Sequence, residues 1–206
     1  MTTVPARNRV TPRGDIIAVA GRGAWMGNRG RLHEGSGTRD IVRNHQSKAW
    51  ITCVLEFRGR RTPQWAPNHY TPLFFLDEAV AFAAGHRPCA ECRRGDYNAY
   101  RQAWHETHGA PAPYAKDMDN QLHRERANRS GHALPWHTLP DGAFVHADDC
   151  PAVVVGDHLA VWDEKAYSYR QRRPRPTAGA APVLTPPSAV AVLRAGYPVQ
   201  IDVSAR

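Results

Sequence analysis

Lysine is nearly missing from this chain. Lys48, Lys116 and Lys165 are its only three, yet Lys and Arg together number 27 against 19 Asp and Glu, for a formal net charge of +8. A basic surface made only for solubility is served equally well by lysine, whereas arginine presents a planar fork of donors suited to phosphate oxygens and guanine edges. The excess therefore points to a polyanion, nucleic acid, with DNA the expected partner. Long apolar runs are absent as well: none approaches the ~20 residues that span a bilayer. Residues 1–13 also lack the apolar segment of a secretory signal. These absences predict a cytoplasmic protein with no membrane attachment. Cysteine is scarce too. Four in 206 residues are too few for a disulfide scaffold, which leaves reduced thiols or a metal site.

The length fits one domain with a real hydrophobic centre, and no internal repeat divides it. The pattern predicts an α+β fold: a small mixed sheet with a zinc knuckle, two or three helices and a C-terminal hairpin. Residues 1–14, polar and holding Pro5 and Pro12, read as a flexible N-terminus. Residues 15–170 read as a single zinc-containing domain, and residues 171–206 as an Arg/Pro-rich linker followed by a helix and strand arm. Within the domain, residues 16–20 form a strand, and a glycine-rich loop at 21–37 surrounds Trp25, Asn28, Arg29 and His33. That loop lacks the Lys-Ser/Thr ending of a phosphate loop. Residues 50–57, rich in β-branched and aromatic side chains, form a strand carrying Cys53 near the middle of the sheet. Arg58-Gly59-Arg60 then turns into a second arm near Trp65.

Asp77 is placed to cap a helix over 78–84 that Gly85 ends. Asp96 caps the next helix, running to about His108 with Tyr97, Tyr100 and Trp104 on one face. A third helix spans 115–128. Strands follow at 143–145, 152–155 and 159–162, the last two a hairpin about Gly156-Asp157. A helix opens at Pro186-Pro187-Ser188 and stops at Gly196, and 199–203 returns as an edge strand.

The chemistry concentrates at Gly85-His86-Arg87-Pro88-Cys89-Ala90-Glu91-Cys92-Arg93-Arg94. Two thiolates separated by two residues turn inward on one knuckle and supply two corners of a tetrahedral Zn²⁺ site. Pro88 fixes the backbone leading into it. Arg87, Arg93 and Arg94 are the candidate phosphate contacts. Cys53 is the third metal ligand, on a strand upstream. The fourth comes from Cys150, His33, His86 or His69, with His33 of the glycine-rich loop the one grouped with the three cysteines.

Residues 74–93, from Phe74-Phe75-Leu76-Asp77-Glu78-Ala79 through Arg87-Pro88-Cys89-Ala90-Glu91-Cys92-Arg93, resemble the second half of the metal-binding domain of Ada-type alkylation-repair proteins. That family's signature there is a helix rich in Glu and Ala, a glycine, an aromatic residue, then Arg-Pro-Cys-x-x-Cys-Arg. The resemblance implies a small α/β unit that holds zinc on cysteines, binds DNA and serves DNA repair by taking a methyl group from a phosphotriester onto one thiolate. Two ligand positions match, Cys89 and Cys92. The family's first ligand pair is a strand-end Cys-x-x-x-Cys, and here Cys53 is followed at that spacing by Phe57. The resemblance thus implies a structural zinc site, with Cys53 as the position of an alkyl acceptor if transfer occurs.

A second constellation lies on the third helix. Asp119 and His123 are four apart and share a face, so the carboxylate can orient the imidazole. With His123 as general base and Arg126 or Arg129 on a phosphate, the set has the parts of a nuclease or lesion-processing enzyme. An interaction module whose zinc only maintains the fold is a further alternative. Trp25, Trp65, Trp104, Trp136 and Trp162 could stack on splayed bases where they border the arginines.

Overall fold

A computed structural model describes residues 4–34, 39–109, 111–128 and 132–206. Its first strands are β1 (Arg7–Val10), β2 (Ile16–Ala18), β3 (Trp25–Asn28), β4 (Ile51–Cys53) and β5 (Leu73–Phe75). Helix α1 (Glu78–Ala83) and the two-residue strand β6 (Arg87–Pro88) follow, then helices α2 (Arg94–His108) and α3 (Ala115–Ala127). The remainder holds β7 (Ala133–Pro135), β8 (Phe144–Ala147), β9 (Cys150–Val155), β10 (His158–Asp163), β11 (Ser168–Pro174), β12 (Ala180–Pro182) and α4 (Pro187–Arg194). The fold is α+β. A six-stranded mixed sheet runs β2-β1-β5-β3-β4-β6, a four-stranded antiparallel sheet runs β11-β10-β9-β8, and β12 pairs with β7.

Helix α1 is buried on every side, as a helix apolar in every residue after Glu78 must be. Asp77 caps it by accepting from the Val80 N–H at 2.8 Å. Its Phe82 joins a core with Tyr97, Tyr100 and Trp104 of α2 and Met118 and Leu122 of α3, while Ala79, Val80 and Ala83 join a second core under the six-stranded sheet. The four-stranded sheet lies between the same two cores. Val154, Leu159 and Val161 face the first, and Val153, Ala160 and Trp162 face the second. Burial on both faces explains why β9 reads as an unbroken apolar run rather than an alternating one.

Several expectations are corrected. The segment read as a flexible N-terminus contains β1, which pairs antiparallel with β2 and parallel with β5. Strand β4 is three residues rather than eight, and the arm beyond Arg58 is reduced to a single bridge between Phe57 and Arg60. It lies next to the sheet edge, between β3 and β6. Asp96 sits inside the first turn of α2, with Arg93 at the cap position. The stretch read as a linker forms β11 and β12, and the 199–203 strand is a loop ending in a 3₁₀ turn at Val203–Ala205. That loop is docked, not an arm: the Gln200 N–H donates to Glu78 at 3.2 Å and the Asp202 N–H to Asp77 at 2.9 Å. No helix among the described residues is long and apolar enough to cross a membrane.

Candidate functional site

The sulfur cluster is built by parallel pairing. Strand β6 adds to β4 with Ile51 opposite Arg87 and Thr52 opposite Pro88, and the Cys89 N–H donates to the Thr52 carbonyl at 2.9 Å. Because the strands run the same way, their ends coincide, and Cys53 arrives beside Cys89. The chain then turns, with the Arg93 N–H bonded to the Cys89 carbonyl at 3.2 Å, which brings Cys92 back to the same point. The sulfurs of Cys53, Cys89 and Cys92 lie within 4.8 Å of one another and could hold a metal ion. Thiolates at a zinc–sulfur distance of about 2.3 Å sit roughly 3.8 Å apart in a tetrahedron, within the bound that the three sulfurs meet.

The electrostatics of the bare cluster describe three thiols competing for one negative charge. Cys89 is driven well down by hydrogen bonds from Cys53 and Cys92, helped by the Glu91 N–H, which donates to its Sγ at 3.4 Å. Cys53 is driven up, first by donating to Cys89 and Cys92 and then by burial. At Cys92 the bond with Cys53 acts downward, but the bond with Cys89 and burial leave it raised. A cation removes the competition by stabilising all three as thiolates.

Cys53, Cys89 and Cys92 line one side of a cleft of about 350 Å³, with Arg60, Arg61 and His69 also on its wall. His69 is thus the one candidate fourth ligand that shares the cleft. His33 is not in it: it is buried, with its Nδ1 2.6 Å from Thr71 Oγ1 and its Nε2 3.2 Å from the Ala66 carbonyl. His86 is fully buried, packed between Trp50 and Phe75, with Nε2 accepting from Arg29. Cys150 is exposed at the start of β9.

Two of the three predicted phosphate contacts are turned inward. Arg87 makes a two-pronged pair with Asp119, Nε to Oδ1 and NH2 to Oδ2 both at 2.8 Å. Arg93 donates to Glu78 at 2.6 Å, to Asp96 at 2.8 Å and to Thr52 at 2.8 Å, and its guanidinium lies 3.8 Å from the Trp25 ring centroid. Both are under 6 % exposed, so neither can meet a phosphate. Arg94 is exposed. The pair with Arg87 engages both oxygens of Asp119, and among the described residues no hydrogen bond joins Asp119 to His123. Trp104, Trp136 and Trp162 are core side chains. Arg129 lies outside the described residues, as do residues 35–38 of the glycine-rich loop.

His123 instead meets His45, at 5.6 Å between ring centroids, and Arg126 lies 4.2 Å from the Trp50 ring centroid. His45 carries no local signature, since it comes from a loop far from α3 in sequence. Arg60 and Arg61 sit in a basic turn of the sequence, with no local signal that places them beside the cysteines. No protein-family model, curated protein or solved structure matches the chain.

Proposed function

We propose that this chain is a zinc-thiolate protein that binds nucleic acid, with DNA the expected polymer and DNA repair the process that the Ada-type resemblance adds. The observation that carries the reading is the convergence of Cys53, Cys89 and Cys92 from two separate stretches of chain onto one point. Three soft sulfur donors favour zinc over the hard cations that carboxylates and carbonyls hold. Bound there, the ion supplies cross-linking between β4 and the knuckle. The net charge of +8 supports a polyanion partner. With Arg87 and Arg93 buried, the phosphate contacts fall to Arg60 and Arg61 on the cleft wall and to exposed Arg94.

The test has two parts. Purified protein should carry about one zinc per chain, and Cys89→Ser should abolish it, because two sulfurs alone make a weak site. DNA affinity should fall steeply with salt, and Arg60→Gln with Arg61→Gln should reduce the log–log salt slope by about 2, one counterion per lost phosphate contact. Metal-free protein with three reduced thiols, or an affinity that ignores salt, overturns the reading.

A further inference from the structure

A second cleft, of about 620 Å³, opens beside Trp50 and is lined by Arg7, Arg13, Arg29, His45, His123 and Arg126. It is a concentration of positive charge with a fixed floor. The indole of Trp50 is held under two guanidinium groups, Arg29 at 3.8 Å and Arg126 at 4.2 Å from its centroid. Arg126 is itself fixed by donating to the Gly85 carbonyl at 2.7 Å and the Lys48 carbonyl at 2.8 Å. Arg29 is fully buried and donates to the Gly14 carbonyl at 2.9 Å. Two imidazoles, His45 and His123, touch edge to face at the mouth. Asp15 is the one carboxylate among the described lining residues.

We propose that this cleft is a binding site for a phosphate group, gripped at its mouth by His45 and His123 and neutralised by Arg126 with Arg7 and Arg13. That the phosphate belongs to a nucleic-acid strand rests on the function proposed above; that the cleft takes phosphate does not. Charge complementarity and the paucity of carboxylates carry the choice of an anion. The gathering of Arg126, Arg7 and Arg13 with two imidazoles on one cleft carries the choice of a tetrahedral oxyanion, which accepts several donors at once.

His123 makes the site proton-linked. The groups facing His123 are Arg126 on its own helix, His45 and Lys48 on the loop before β4, Arg29 at the end of β3, and Arg7, Arg13 and Asp15 on the N-terminal hairpin. His123 is held below its ordinary value, first by partial desolvation and then by Arg126, His45 and Lys48. A bound phosphate reverses that balance by favouring the imidazolium, so binding raises the apparent pKa of His123, and a phosphate of fixed charge is held less tightly as pH rises through that value.

The experiment is a titration of wild-type protein with inorganic phosphate, read on the imidazole resonances by NMR against sodium chloride of equal ionic strength. Saturable shifts of His45 and His123, with the apparent pKa of His123 rising by about one unit, are expected. His45→Gln with His123→Gln, both outside the core, should weaken phosphate binding by about tenfold or more, with the unfolding midpoint confirming an intact fold. Shifts no larger than those with chloride overturn the proposal.

A parallel arm uses a short single-stranded DNA oligonucleotide. If it moves the same two imidazoles and binds more tightly than phosphate, the site serves a strand backbone. If phosphate moves them and the oligonucleotide does not bind, the cleft stands as a small-phosphate site and the nucleic-acid reading falls. If the oligonucleotide binds while both ligands leave the imidazoles unmoved, the nucleic-acid reading stands and this cleft is not its contact.

Discussion

Arg93 connects four elements at once: Glu78 of α1, Thr52 of β4, Asp96 of α2 and the indole of Trp25 on β3. Its side chain and that of Glu78 are each 2 % exposed. Removing one member strands the other charge in the interior, so Arg93→Ala should cost about 3–5 kcal/mol in urea unfolding. Arg93→Lys should recover little of it, because an ammonium cannot reach three acceptors in one plane. What the sequence made legible at this scale was residue type: cysteines for metal, arginines for anions. Which anion each arginine meets was not legible, because Asp119 and Glu78 are brought to Arg87 and Arg93 only by folding.

Among elements, the turn from α1 into β6 controls both candidate sites. Gly85 has φ +85, and a Cβ there would come within 2.6 Å of the Arg126 side chain. Gly85→Ala should therefore lower stability by about 1–2 kcal/mol from backbone strain alone, and by more if Arg126 cannot move aside. Displacing Arg126 from Trp50 should also change the tryptophan emission. The same stretch shows where sequence patterns succeed. Asp77, Gly85 and the apolar run between them marked α1 to within a residue, since capping and left-handed turns are local chemistry. The hairpin of β9 and β10 was equally legible from its apolar runs and Gly156. Strand β6 is only two residues long, and β1 and β11 are arginine-rich, so neither period nor propensity signals them; their pairing is decided by neighbours distant in sequence.

Taken as one body, the molecule has a buried acidic pair whose titration its stability should report. Asp77 is pushed up to about 6, by burial first, although hydrogen bonds from Asp202, Val80 and Tyr169 oppose it. Between its unfolded and folded values the native state holds the extra proton, so stability should fall as pH rises from about 4 to about 6. The share from Asp77 alone is about 3 kcal/mol. Glu78 is also raised, by burial against the pull of Arg93, and acts in the same direction. Urea midpoints across that range check the sign, and Asp77→Asn should flatten the slope. If zinc is bound as proposed, a strong chelator should lower the midpoint near neutral pH, since a metal bound only to the native state adds to its stability, and the effect should shrink in acid as the thiolates take up protons.

The docking of the loop after α4 onto α1 has a consequence for biosynthesis. Gln200, whose N–H meets the Glu78 carboxylate, lies 122 positions further along the chain. While the polypeptide is still emerging from the ribosome, the helix that leads into the cysteine knuckle has its cap and its apolar sides but not the backbone donors that Gln200 and Asp202 bring to its two acids. The nascent chain must wait for its later portion before that helix can be sealed.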